Sequence, residues 1–126
     1  MKIPKTIQSK IKKRVLFREC LKGVIVKNGE QYITDSIYAI KGKTDMPDNI
    51  YLFDGGVLPI DEAPNIDNVF SKKYTQVGRP NINIELLIEV LTVLKANGEK
   101  NTGIAIGDDC ISITGNKLQA ILMKLE

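Results

Sequence analysis

Between Ala63 and Leu125 the order of elements is written almost completely into the residues, and that order limits the folds open to the chain. A turn-rich segment, Ala63-Pro64-Asn65-Ile66-Asp67-Asn68-Val69-Phe70, leads to Tyr74-Thr75-Gln76-Val77 and a short extended Ile82. Asn83 suits a helix N-cap, because its side-chain oxygen accepts from the unpaired amides of a first turn. Glu85 follows where the helix dipole favours an anion. From Ile84 to Ala96 the spacing predicts a helix that buries Ile84, Leu87, Ile88, Leu91 and Leu94, with Glu85, Glu89 and Thr92 off that stripe. Asn97-Gly98 ends it in left-handed backbone. Gly103-Ile104-Ala105-Ile106-Gly107 then alternates as a strand, Asp108-Asp109 turns, and Cys110-Ile111-Ser112-Ile113-Thr114 returns. Gly115-Asn116 turns again into Leu118–Leu125, so the unit reads strand, helix, three strands (βαβββ).

The first half reads as a weaker version of the same unit. Pro4 to about Lys13 forms a short helix, since Pro4 suits a first turn and Ile3, Ile7 and Ile11 recur every four residues. Val15-Leu16-Phe17 and Leu21 to Val26 read as extended, the latter through β-branched Val24-Ile25-Val26. Asn28-Gly29 is a hairpin turn, because both residues tolerate positive φ. One returning strand is expected over Gln31 to Lys41, then a polar loop from Gly42 to Asn49. A short strand Ile50-Tyr51-Leu52-Phe53 is ended by Asp54-Gly55-Gly56, and Val57-Leu58-Pro59-Ile60 extends once more. The expected fold class is α+β, in one domain of 126 residues divided into half-repeats 1–62 and 63–126, with helices on one face of antiparallel sheets.

Composition excludes several classes. A hydrophobic content of 43% with 26% charged residues belongs to a folded domain rather than a disordered chain. No apolar run reaches the roughly 20 residues of a membrane span, and the N-terminus lacks the apolar core of a secretory signal. The expectation is a cytoplasmic protein without membrane contact. The absence of histidine removes the commonest general base and the commonest metal ligand together. Cys20 and Cys110 form no paired motif and read as inert core thiols.

Charge is unevenly placed. Residues 1–22 hold eight basic side chains against Glu19, a local +7, so in a chain of net charge +3 the remaining residues carry −4. Such a segment either faces phosphates or is a solvated basic surface. No phosphate-cradling glycine loop is present, and Gly55-Gly56 and Gly78-Arg79-Pro80 read as turns. Asp45, Asp48, Asp54, Asp61, Glu62 and Asp67 occupy loop positions, where aspartate is a turn former more readily than a magnesium ligand. Tyr32, Tyr38, Tyr51 and Tyr74 lie on strand-like segments, where packing is a commoner role than base stacking. The reading is non-enzymatic, with no cofactor and no metal.

Several phrases together resemble the sliding clamps of DNA polymerases. Gln31-Tyr32-Ile33-Thr34-Asp35-Ser36-Ile37-Tyr38-Ala39 resembles the clamp strand that carries an Ala-Thr-Asp-like phrase after a hairpin. Ala63-Pro64-Asn65-Ile66-Asp67-Asn68-Val69 resembles the connector between the two halves of a bacterial clamp domain. Ala120-Ile121-Leu122-Met123-Lys124-Leu125 is similar to the closing strand. The resemblance spans about residues 15–125. Ile33, Ala63 and Lys124 depart from the clamp pattern, which has a small residue, an aromatic and a proline at those places.

The resemblance implies a DNA clamp-like domain of two βαβββ-like halves, acting as a processivity factor or other replication accessory of a phage or mobile element. Its implied partners are duplex DNA and replication proteins. Clamps string several such domains in one chain, so a lone domain closes a ring only as a homo-oligomer. DNA is then held by backbone charge without base reading. The residues carried over are Lys5, Lys10, Lys12, Lys13 and Arg14. The helix 84–96, read as exposing Glu85 and Glu89 beside a single Lys95, fits a DNA-lining role poorly. The alternative is a protein–protein module of the same fold that uses an open sheet edge and binds no DNA.

Overall fold

The computed structural model describes residues 1–70 and 80–124. Helix α1 (Lys5–Arg14) is followed by β1 (Gly23–Lys27), β2 (Glu30–Thr34), β3 (Tyr38–Lys43), β4 (Asn49–Leu52) and β5 (Val57–Leu58). After a short helix, α2 (Asp67–Phe70), come α3 (Ile84–Ala96), β6 (Gly103–Ile106), β7 (Cys110–Thr114) and β8 (Leu118–Met123). Among the described residues, eight strands form one antiparallel sheet in the order β5-β4-β1-β2-β3-β8-β7-β6. The fold is therefore α+β.

Directly opposed residues of an antiparallel sheet point to the same face, so the register identifies each face. One ladder runs Ile33–Ile40–Ala120–Ile113–Ile104, and the next runs Tyr38–Leu122–Ile111–Ile106. Against this face lie Ile7 and Ile11 of α1 and Leu86, Val90, Val93 and Leu94 of α3. The opposite face, at Ala39, Cys110 and Ile121, is covered by Ile66, Val69 and Phe70 of the connector. Tyr32 anchors that connector by donating its hydroxyl to the Pro64 carbonyl at 2.8 Å, and the Lys41 ammonium sits 4.7 Å from the centre of the Phe70 ring.

Local chemistry explains the boundaries. Asn28 and Gly29 adopt φ of 53° and 79°, the primed turn expected of the β1–β2 hairpin. Asn83 caps α3, its Oδ1 accepting from the Leu86 amide at 3.1 Å. Gly23 is forced by its neighbour, since a Cβ there would lie 2.4 Å from the Tyr51 carbonyl oxygen on β4. Asn97, at the end of α3, donates to the Lys2 carbonyl and accepts from the Lys2 amide, tying the chain start to that helix.

Four expectations are corrected. Val15-Leu16-Phe17 is a turn, not extended, because Val15 continues the four-residue apolar spacing of α1 and is buried, leaving Leu16 and Phe17 exposed. Gln31 to Lys41 is two strands, divided where Asp35 Oδ1 accepts from the Ile37 and Tyr38 amides, both at 2.9 Å, and Ser36 takes φ of 81°. Strand β3 then runs through Gly42 to Lys43, so the loop starts later than expected. Residues 80–83 form no strand, although Ile82 packs on the core; Tyr74–Val77 lies outside the described residues.

The fourth correction concerns α3, which is rotated from its expected orientation. Leu86, Glu89, Val90, Val93 and Leu94 face inward, while Ile84, Ile88 and Leu91 face solvent. The helix is apolar around most of its circumference, so hydrophobic spacing alone does not choose its inner face. The face that does turn inward carries Glu89 and its contact with Arg14.

Candidate nucleic-acid interface

That contact begins on α1. With Ile7 and Ile11 turned to the core, positions 5, 9, 12 and 13 fall on one outward arc at 100° per residue. Lys5, Ser9, Lys12 and Lys13 are all exposed there. The basic last turn of Lys12, Lys13 and Arg14 also complements the negative end of the helix dipole.

Arg14 does not join the row. Its guanidinium turns inward to α3, where Nη1 donates to Glu89 Oε1 at 3.0 Å and Nη2 donates to Glu89 Oε2. Its Nε lies 2.7 Å from Asp35 Oδ2, off the line of a good hydrogen bond. The Tyr38 hydroxyl donates to Glu89 Oε2 at 3.1 Å, and the Tyr38 ring centre lies 5.9 Å from the guanidinium carbon. Asp35 and Glu89 are 0% and 4% exposed at their side chains, so one cation holds two buried carboxylates.

Burial lowers the Arg14 pKa, but the Glu89 hydrogen bond and the charges of Asp35 and Glu89 outweigh it and raise the net value, keeping the guanidinium charged. Burial pushes the Tyr38 phenol upward, and the carboxylates of Asp35 and Glu89 add to the push, so it remains a neutral donor. Lys10 is exposed, 57% at its side chain, yet its ammonium reaches to 3.9 Å from Glu89 Oε1.

Of the five basic residues expected to meet phosphates, the structure thus brings Lys5, Lys12 and Lys13 together on an open surface, leaves Lys10 at its edge, and places Arg14 in a structural ion cluster. Glu89, read from the sequence as exposed, is the residue that draws Arg14 in. The helical period puts Arg14 on the border of the buried face, but its partners are 21 and 75 residues away, beyond any local pattern.

Of the loop carboxylates, Asp54 acts as a turn former, its Oδ1 accepting from the Gly56 amide, whereas Asp48 Oδ1 accepts from the Asn28 amide of the β1–β2 hairpin, far away in sequence. Among the described residues, no group of three or more His, Cys, Asp or Glu is placed to hold a metal ion. Cys110 is buried and Cys20 half-buried, and neither is in a disulfide. No helix of the described residues is long and apolar enough to cross a membrane.

A second surface escapes sequence reading. Ile33, Ile40, Ala120 and Ile113 are each 0% exposed, yet Ile104 at the end of that ladder is 61% exposed. An eight-stranded sheet is about 34 Å wide, and two helices side by side cover about 20 Å of it. α3 lies over β8 and β3, so among the described residues β6 projects beyond the helical layer, with Ile104 and Ile106 exposed and Ile84, Ile88 and Leu91 on the outer side of α3. The one available signal was an excess of apolar positions in 84–96 over what a single stripe accommodates.

Comparison with protein-family models, with curated proteins and with solved structures finds no match to this chain.

Proposed function

We propose that this chain is a non-enzymatic replication accessory protein of clamp-like fold that holds duplex DNA by its phosphate backbone in the cytoplasm, alongside replication proteins. The observation carrying the DNA contact is the outward row of Lys5, Lys12 and Lys13, rigidly mounted on α1 by its buried isoleucines. The clamp-like element rests on the sequence resemblance. Lysine ammoniums on one side of a helix provide charge without the planar fork that reads base edges, so binding is independent of sequence.

The test is fluorescence anisotropy at low salt with two labelled duplexes of equal length and unrelated sequence. The expected result is one affinity for both, falling to about 10⁻⁴–10⁻⁶ M at physiological salt. Unequal affinities, or no binding at low salt, would overturn it. The bare Ile104 and Ile106 favour a second reading, a protein-interaction module that binds no DNA; that reading gains if neither duplex binds.

A further inference from the structure

We infer that Phe17 is a base-stacking residue, set at the end of the α1 lysine row to take up one unpaired base of a duplex whose phosphates that row holds. The inference rests on the DNA reading above and adds the kind of DNA that is bound. Phe17 is 96% exposed, the most of any large hydrophobic side chain among the described residues, and its neighbour Leu16 is 60% exposed.

The turn that presents this ring also fixes it. Val15 and Leu21 are buried on either side, at 4% and 1% exposure. Between them the Arg18 amide donates to the Val15 carbonyl at 2.8 Å, which puts Leu16 and Phe17 at the two corners of a turn. Lys22 Nζ donates to the Leu16 carbonyl at 2.9 Å and to Glu19 Oε1 at 2.6 Å. A ring on a preset turn loses little freedom when it binds, which favours it as an anchor.

Charge identifies the occupant as a polyanion. Lys12 and Lys13 stand four residues before Leu16 and Phe17, and Arg18 follows them, its Nη1 donating to the neutral Ser36 Oγ at 3.1 Å. Glu19, the one acid in residues 1–22, is bridged to Lys22. The placement of apolar atoms selects nucleic acid over a lipid surface. A helix that lies on a membrane carries an apolar side along its length. α1 instead turns Ile7 and Ile11 into the core and offers Lys5, Lys12 and Lys13 outward, with apolar surface only beyond its end. A row of cations followed by one ring matches a run of phosphates followed by one open base. In an intact duplex every base is already stacked, and unstacking a step is costly. The ring therefore favours DNA that carries an unpaired base. Every base has a π-face, so binding stays independent of sequence.

The test is fluorescence anisotropy with two labelled duplexes, one fully paired and one identical except for a single unpaired adenine. The wild-type chain is expected to bind the second about tenfold tighter. Phe17→Ala is expected to lose that preference while keeping the wild-type affinity for the paired duplex and an unchanged circular dichroism spectrum. Phe17→Trp is expected to retain the preference, and Phe17→Leu, apolar but without a π-face, to lose it. Equal binding of both duplexes by the wild type, or a preference that survives Phe17→Ala, would overturn the stacking role and leave the phosphate contact standing. Binding of neither duplex would overturn both. Phe17-dependent sedimentation with phosphatidylserine–phosphatidylcholine vesicles, with no preference between the duplexes, would assign the turn to lipid and overturn the stacking role as well.

Discussion

Replacing Arg14 with alanine lowers the unfolding free energy by about 3–5 kcal/mol, because it leaves the buried carboxylates of Asp35 and Glu89 without their cation. A surface arginine would contribute about 0–1 kcal/mol. The difference lies in burial: Asp35 is 0% and Glu89 4% exposed at the side chain, and water cannot take over the role of the guanidinium. Lys10 approaches Glu89 at 3.9 Å but is solvated, and it has no contact with Asp35. Arg14→Lys falls between wild type and alanine, since one ammonium cannot present Nε to Asp35 and a two-pronged donor to Glu89 together. Urea denaturation measures all three. A loss under about 1 kcal/mol for alanine would mean that the cluster behaves as an exposed pair. At low denaturant, where Arg14→Lys remains folded, its duplex affinity stays at the wild-type value.

Replacing Lys5, Lys12 and Lys13 together with alanine removes most of the salt dependence of DNA binding and leaves stability nearly unchanged. Each lysine that neutralises a phosphate contributes about 0.9 to the slope of log affinity against log salt, so losing three flattens the slope by about 2.7. The same three contacts make wild-type affinity fall about fortyfold between 50 and 200 mM salt. All three side chains are exposed and none bridges an acid among the described residues, so surface substitution shifts stability by about 0.5 kcal/mol or less. A triple variant with the wild-type salt slope would remove α1 from the interface.

How much was legible in the sequence differs from element to element. The ends of α3, the β6–β7–β8 succession and the Asn28-Gly29 hairpin were readable because caps and turns are decided by residues within a few positions of each other. The division of 31–41 was missed because an aspartate turn inside a β-rich run looks like an alternating strand until Asp35 is seen accepting two amides. The inner face of α3 was misread for a longer-range reason. Ile84, Ile88 and Leu91 are as apolar as Leu86, Val90 and Val93, and the face that turns inward is the one whose Glu89 meets Arg14, a contact no local pattern announces. The same contact separated Arg14 from the lysines with which the sequence had grouped it. The exposure of Ile104 and Ile106 on β6 follows from the width of a sheet that, among the described residues, includes strands from both ends of the chain, joined at β3 and β8.

The central claim is that the outward lysines of α1 lie against phosphates. Amine-reactive footprinting read by mass spectrometry, with and without saturating duplex at low salt, tests it residue by residue. Protection of Lys5, Lys12 and Lys13, with Lys100 and Lys117 reacting equally in both states, is the expected outcome. Equal reactivity of Lys5, Lys12 and Lys13 with and without duplex would contradict the claim and leave that row an ordinary solvated surface.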